Sequence, residues 1–557
     1  MVSVTNFGSF PGVRARTYGT SITGVDIGEE EKLLIFGESN PANGEASVGE
    51  AVNAPTPRAI NNNFGQETEL ANALSLARGN GANPSFLYGV GVRANWNEET
   101  FNETNSGQLS NAPLFGFESG TSGDTERISF ERSDGRNVSV NLVNVDGTPG
   151  SALNIDTVND DDVVTVNDDD VVTVNVDVVT GNWSASSPGD YVATYQYAQK
   201  NTETSKNGTL QDIPIVEDTS RFKVFDSTET FDPTDTANEL DVTFKYEDDL
   251  STLSAPDTDE IYVNPLTAEY RAGSTPTDEY KFYFVVKDFE NTFDDADGTV
   301  NENETGIYAA ITESQKVATN LDTKVNSLRT EYKLVQGVTL AQPNATQDSG
   351  EPEYDILSPA PEYGDAINND AMYLFAPGRE DGTADTILPA VAGNFAGTTI
   401  AEPIYGNSLS GITELVQKFS KAERDELREE HNVIPMKQLG SISIDGNTST
   451  STETDFARTF FVRRIVDRVI LVSKVLGDAI IGSKNTEENR RILRDELRGQ
   501  MEDLVDQNVI EANTENETNW YVEVTDDGFD EVGVEIGVKP VGVIKRIDEE
   551  IIIDTSA

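Results

Sequence analysis

Apolar residues recur at three- and four-residue steps along two stretches in the last hundred residues, a periodicity that predicts two consecutive amphipathic helices. The first starts near Thr459 and buries Val462, Ile465, Val466, Val469, Val472, Leu476 and Ile480 in one broad stripe, interrupted by Arg463, Arg464 and Arg468. The second is expected to open at Asn485, with Glu488 completing a capping box and Leu493, Leu497, Met501 and Leu504 forming a narrower seam. The pattern then changes to period two. Residues 520–524 and Val532, Val534, Ile536 and Val538 alternate around Thr525-Asp526-Asp527-Gly528, which predicts a hairpin with one buried face, closed by Pro540.

The two ends of the chain are apolar without being helical. Residues 1–24 carry Val4, Phe7 and Phe10 with no helical period and are read as an extended arm. At the other end Ile551, Ile552 and Ile553 form a β-branched triplet that needs a sheet edge. Two readings stand side by side for it: pairing with its own hairpin, or adding a strand to a neighbouring subunit by β-augmentation.

Earlier in the chain, Leu33-Leu34-Ile35-Phe36 is a short buried-strand pattern, residues 67–78 are helical, and 86–92 return as a strand, the start of an α/β unit. From about residue 96 to 275 short alternating strands sit among Asn, Thr, Ser, Gly and Asp, which predicts a β-rich insertion of one or two small sandwich-like domains facing outward. The run 281–286 is read as the strand with which the α/β pattern resumes, followed by a helix over 312–329, a strand at 373–375 and a linker over 387–406. The expected architecture is a multidomain α+β chain. It has an N-terminal arm (1–24), a discontinuous α/β domain (25–95 and 276–405) interrupted by the insertion (96–275), a C-terminal α+β assembly domain (406–540) and a C-terminal arm (541–557).

Charge changes the picture of the surface. Forty Lys and Arg against 98 Asp and Glu leave a net charge of −58. At about 0.1 M salt such charges repel across roughly 10 Å, whereas at about 1 M the screening length falls to about 3 Å, so the composition is that of a salt-adapted protein. Periodic segments containing 24 Phe and 17 Tyr argue against an acidic disordered chain. No basic stripe is available for nucleic acid. Residues 1–11 lack the basic start and apolar stretch of a signal peptide, and no run approaches the roughly 20 apolar residues that span a bilayer, so synthesis in the cytoplasm without membrane insertion is expected.

Candidate chemistry is sparse. With no cysteine and one histidine, His431, neither a Cys–His pair nor a histidine metal site can be built, and His431 is read as a helix-end residue. No nucleotide-binding glycine motif is present, and no carboxylate pair stands out, so neither an enzyme nor a cofactor is expected. The octad TVNDDDVV at 157–164 recurs at 165–172. Asp160, Asp161, Asp162, Asp168, Asp169 and Asp170 offer oxygen ligands for calcium but lack a glycine-bearing calcium loop, so acidic turns are the favoured reading.

The order of several short motifs resembles a known family. They are Pro11-Gly12-Val13; Leu34-Ile35-Phe36-Gly37; Phe64-Gly65; Asn80-Gly81-Ala82; Gly91-Val92; Leu388-Pro389-Ala390-Val391-Ala392-Gly393; Gly411-Ile412 with Leu415; Ala422-Glu423 to Leu427; Asn432-Val433-Ile434; and Phe461-Val462-Arg463-Arg464. With the helix, helix, hairpin ending, the chain resembles contractile tail sheath proteins of myovirus tails and contractile injection systems, over 1–95 and about 370–557. Arg14, Ala15 and Arg16 depart from the family's pattern after the first motif. The resemblance implies a virion tail subunit, assembled in the host cytoplasm and here of an acidic haloarchaeal type. Such subunits stack as hexameric rings around a tail tube, between baseplate and tail terminator proteins, and contract to drive the tube through the host envelope.

The resemblance further implies that Val4 and Phe7, the hairpin strand of Val532, Val534, Ile536 and Val538, and Ile551 to Ile553 make intersubunit strands. Some of Arg463, Arg464, Arg468, Arg490, Arg491, Arg494 and Arg498 then face an acidic tube, while ordinary pairing with Asp and Glu is favoured for most. A haloarchaeal surface-layer or adhesin protein shares the acidity and the β-rich middle; it requires export.

Overall fold

The computed structural model describes residues 2–4, 31–114, 127–143, 171–177, 180–210, 214–226, 239–246, 250–277, 279–343, 367–380, 386–400, 402–452, 459–515, 517–528 and 531–541. At its centre lies an eight-stranded sheet. Six strands run parallel, in the order Ile434–Leu439, Met372–Ala376, Leu334–Leu340, Thr305–Ala310, Lys32–Gly37, Leu87–Gly91. Ser441–Ile444 and Ala51–Asn53 close the two sides antiparallel. Runs such as Leu33-Leu34-Ile35-Phe36 are apolar at every position because a parallel sheet is buried on both faces.

Helices cover each face. Pro57–Phe64, Glu69–Gly79 and Leu388–Gly397 pack on one side through Ile60, Phe64, Leu74, Val391 and Phe395. Phe289–Asp295, Gln315–Thr330 and Lys421–Glu429 pack on the other through Phe293, Leu321, Val325 and Leu427. The segment expected as a linker over 387–406 thus contains a helix, buried along most of its length. Its glycines allow that burial. A Cβ on Gly393 would stand 2.1 Å from the Ala77 carbonyl oxygen, so only glycine lets this helix meet Glu69–Gly79 backbone to backbone.

The chain leaves the large sheet after Leu87–Gly91 and forms two β units before returning at Thr305–Ala310. The first is a five-stranded sheet built on the long strands Trp96–Gln108 and Asn182–Gln196, with Trp183, Tyr191, Tyr195 and Phe130 at its core. The second packs a three-stranded sheet (Gln199–Glu203, Tyr280–Phe284, Phe222–Asp226) and a four-stranded one (Asn207–Thr209, Glu269–Ala272, Glu260–Val263, Asp241–Phe244) around a shared core. The apolar run 281–286 therefore closes this β unit and does not open the α/β sheet, because its partners are Gln199–Glu203 and Phe222–Asp226.

A partly buried guanidinium docks this unit on the α/β body. Arg379 donates to Glu313 Oε2 at 2.7 Å, to Glu217 Oε2 at 3.0 Å and to the Tyr246 hydroxyl at 2.6 Å, and lies over the Tyr246 ring. A second, Arg221, joins Asp218 at 2.8 Å and Glu38 of the body.

The helix Phe460–Ile480, against which Glu487–Asp506 packs, is fastened to the body by a third network. Asp467, 2% exposed, accepts from Arg463 Nε at 2.9 Å, from Arg329 Nη1 at 3.1 Å and from Gln336 Nε2 at 3.3 Å. Arg329 and Gln336 belong to the body's Gln315–Thr330 helix and Leu334–Leu340 strand. Phe460 also enters the body's core, its ring 4.1 Å from that of Phe395.

The two guanidinium groups outweigh the desolvation that opposes charge on Asp467 and hold its carboxyl down at about 2. A carboxyl depressed in the folded state contributes stability above its ordinary range, roughly 2 kcal/mol, which is lost as pH falls from about 4 to about 2. Asp467→Asn should lower unfolding stability in molar salt by about 3–5 kcal/mol near pH 7, because two guanidinium groups lose their buried partner. The gap between variant and parent should narrow near pH 3. A gap equal at both pH values would show that Asp467 does not act through its charge.

Candidate assembly site

The C-terminal hairpin consists of Trp520–Asp526 and Val532–Val538, paired from Trp520 opposite Val538 to Asp526 opposite Val532. Alternation sends Val522, Val524, Ile536 and Val538 inward onto Leu493, Leu497, Met501 and Leu504 of the preceding helix, with Val532 and Val534 half-buried beside them. The opposite face of the second strand carries Gly533, Glu535 and Gly537. Tyr521 lies across Gly537, where a Cβ would come within 2.2 Å of the ring, and its hydroxyl donates to Glu535 Oε1 at 2.6 Å.

The turn end of the hairpin is tied down from the loop between the helices. Asn485 Nδ2 donates to the carbonyl oxygens of Gly528 at 2.8 Å and Glu531 at 3.1 Å. Its expected role as helix cap falls instead to Thr486, whose hydroxyl accepts from the Asn489 amide at 3.3 Å. A short polar side chain caps a helix or reaches a turn, and spacing alone does not say which. Past the hairpin, the Val541 amide donates to the Val509 carbonyl at 3.0 Å.

The free edge of Val532–Val538 carries a third strand from the other end of the chain. Val2–Val4 pairs antiparallel with it, Val2 opposite Val538, Ser3 opposite Gly537 and Val4 opposite Ile536. The small sheet thus joins the hairpin to a strand from more than 500 residues earlier in the chain, in the order Val2–Val4, Val532–Val538, Trp520–Asp526. Phe7 and Ile551, Ile552 and Ile553 lie outside the described residues, as do the aspartates 160–162 and 168–170. Among the described residues no cluster of His, Cys, Asp or Glu has a metal-holding arrangement, and no helix is long and apolar enough to cross a membrane.

The seven arginines divide by environment. Arg463 is held, mostly sheltered, between Asp467 and Asp370. Arg464 reaches Glu31 Oε1 at 2.9 Å, donates to the Thr398 carbonyl at 2.6 Å and lies over the Phe460 ring. Burial pushes the Glu31 carboxyl above its ordinary range despite Arg464, and its Oε2 accepts no hydrogen bond. Arg468 lines a crevice beside this pair. Arg490 binds Asn485 and, at 3.1 Å, Asp526, bracing the hairpin. Arg491 is exposed and stands 3.8 Å from Asp495.

Arg494 and Arg498 have no ion-pair or hydrogen-bond partner among the described residues. Spaced at three and four residues, Arg491, Arg494 and Arg498 form one basic flank of the helix. Sequence reasoning did not single out Glu31 or Asp467. The signal for Asp467 was an acid inside an apolar stripe, four residues from an arginine.

No family model matches the chain, and no curated protein matches it. Among solved structures it is similar to a sheath tail protein of Listeria innocua, at 11% identity over 93% of this chain and 93% of that one, with a TM-score of 0.45. A sheath tail protein of Desulfitobacterium hafniense matches at 11% identity over 91% of this chain and 93% of that one, with a TM-score of 0.43. The contracted PVC sheath complex of an extracellular contractile injection system matches at 14% identity over 49% of this chain and 77% of that one, with a TM-score of 0.38.

The division among the arginines is measurable. Arg464→Ala removes the partner of a buried carboxylate and should cost about 3–5 kcal/mol in urea unfolding. Arg498→Ala should stay within about 0.5 kcal/mol of the parent. Comparable losses in the two variants would contradict the assignment of Arg464 to the fold and Arg498 to the surface.

Proposed function

We propose that this chain is the structural subunit of a contractile tail sheath: it polymerises as stacked hexameric rings around a tail tube and contracts to drive that tube through a host cell envelope. The observation that carries the reading is the three-stranded assembly sheet, which takes one strand from the far end of the chain. A strand held at the end of a long connecting segment is a donor that a neighbouring copy's hairpin accepts equally well, since the ladder it makes is the same. The ordered motifs from Leu34-Ile35-Phe36-Gly37 to Phe461-Val462-Arg463-Arg464 support the same reading.

In this account the body and the C-terminal helices move together, while the segment 5–30 and the C-terminal arm act as tethers. Ile551 to Ile553 of a neighbour take the remaining edge of the sheet beside Trp520–Asp526, which carries no strand among the described residues. Contraction is a passage from a metastable extended lattice to one that buries more surface between subunits, so no nucleotide is consumed. Of the basic residues, Arg491, Arg494 and Arg498 are the ones available to an acidic tube. The particle is a virion tail or injection device of a high-salt environment, with baseplate and tail terminator proteins at its ends.

Negative-stain microscopy of the purified protein in multi-molar salt should reveal striated tubes or stacked rings of constant diameter. A chain truncated before residue 549 should remain a folded monomer that forms neither. Flat two-dimensional lattices would favour the surface-layer alternative, and normal tubes from the truncated chain would remove the C-terminal arm from the assembly.

A further inference from the structure

We infer that in the free subunit the N-terminal strand caps its own hairpin and thereby holds assembly in check, so that polymerisation proceeds by strand exchange. The inference rests on the sheath reading and adds to it a control on when sheets form between copies.

The acceptor is built before any partner arrives. Ile536 and Val538 are 3% and 2% exposed against the helix below, Asn485 holds the turn, and Trp520–Asp526 occupies one edge of Val532–Val538 along its whole length. Only the second edge is open to a further strand. In the single chain Val2–Val4 occupies it at positions 536–538. A copy with that edge filled offers a neighbour no backbone donors or acceptors there, which is how natural sheets protect an edge against pairing with other chains.

The donor is free to choose a partner because of how it is joined. Glu31, the first described residue after it, is fixed to the C-terminal helix by Arg464, both side chains under 10% exposed. Residues 5–30 connect the two points, a length that reaches at most about 90 Å when fully extended. In cis this connection presents the strand to its own hairpin at an effective concentration on the order of millimolar. Free subunits at micromolar concentration compete poorly, by roughly a thousandfold, with hydrogen bonds that are identical in the two arrangements. Exchange gains ground only where other contacts already hold subunits side by side, as on a ring or a tube. The cap therefore suppresses spontaneous nucleation and leaves growth on a template allowed.

The chain contains no cysteine, so an engineered pair reports without background. Val4 and Ile536 stand opposite each other, and in the double variant V4C/I536C an oxidised bridge should form within one chain in dilute protein. The oxidised monomer should give at least tenfold fewer tubes on a tube template than the same sample after reduction. Oxidation after assembly should instead give a covalent ladder of subunits. V2C/V538C repeats the test one pair along should the first variant fold poorly. Equal assembly of oxidised and reduced protein, or bridges only between copies in dilute monomer, would overturn the cap while leaving the sheath reading intact. Failure of the reduced variants and the parent alike to assemble would instead count against the sheath reading itself.

Discussion

One buried carboxylate determines how the parts of this molecule relate. Asp467 sits on a helix that also carries the apolar stripe of the C-terminal helix pair and hairpin, yet its partners include Arg329 and Gln336 of the α/β body. An unpaired charge in that position would cost several kcal/mol, so the contact is either fully made or strongly avoided. The C-terminal helices are consequently fastened to the body. The same logic applies where the partly buried guanidinium groups of Arg379 and Arg221 dock the second β unit on the body.

The acidity of the chain gives these networks added meaning. With 40 basic residues against 98 acidic ones, a cation buried in an interdomain network is one fewer to offset the surface. Arg464 is buried and Arg221, Arg329, Arg379 and Arg463 are largely sheltered in such networks, so these five do little to offset the charge of the exposed carboxylates. Molar salt screens the exposed repulsion and has much less effect on pairs sheltered from solvent. In such a surround, the basic flank of Arg491, Arg494 and Arg498 is a local exception in sign.

Much of the local structure was legible in the sequence, and less of the pairing. The run at 33–36, the helix with Leu321 and Val325, the two C-terminal helices and the hairpin are visible because their periods are set by burial on one or two faces. Which sheet a strand joins is not a periodic property, and so the run 281–286 gave no sign that its partners are Gln199–Glu203 and Phe222–Asp226. Ile434–Leu439 carries Pro435 and Lys437 near the side of the large sheet, a mixture that conceals a strand continuing that sheet from beyond residue 430. The helix Leu388–Gly397 was hidden for another reason: it is buried nearly all round, so it shows no polar face, and its glycines read as linker until their contact with Ala77 and Gly81 is known. For the assembly site, the hairpin and an N-terminal strand were expected, but the register of Val4 with Ile536 and the Glu31–Arg464 pair depend on contacts across most of the chain.

A helical reconstruction of assembled tubes, at a resolution that traces the backbone, tests this account most directly. It predicts that Asp467 keeps Arg329 and Arg463 as partners within one subunit, while Val2–Val4 lies on the Val532–Val538 edge of a neighbour. Tubes in which each N-terminal strand stays on its own hairpin, or in which the C-terminal helices have parted from the body, would contradict it.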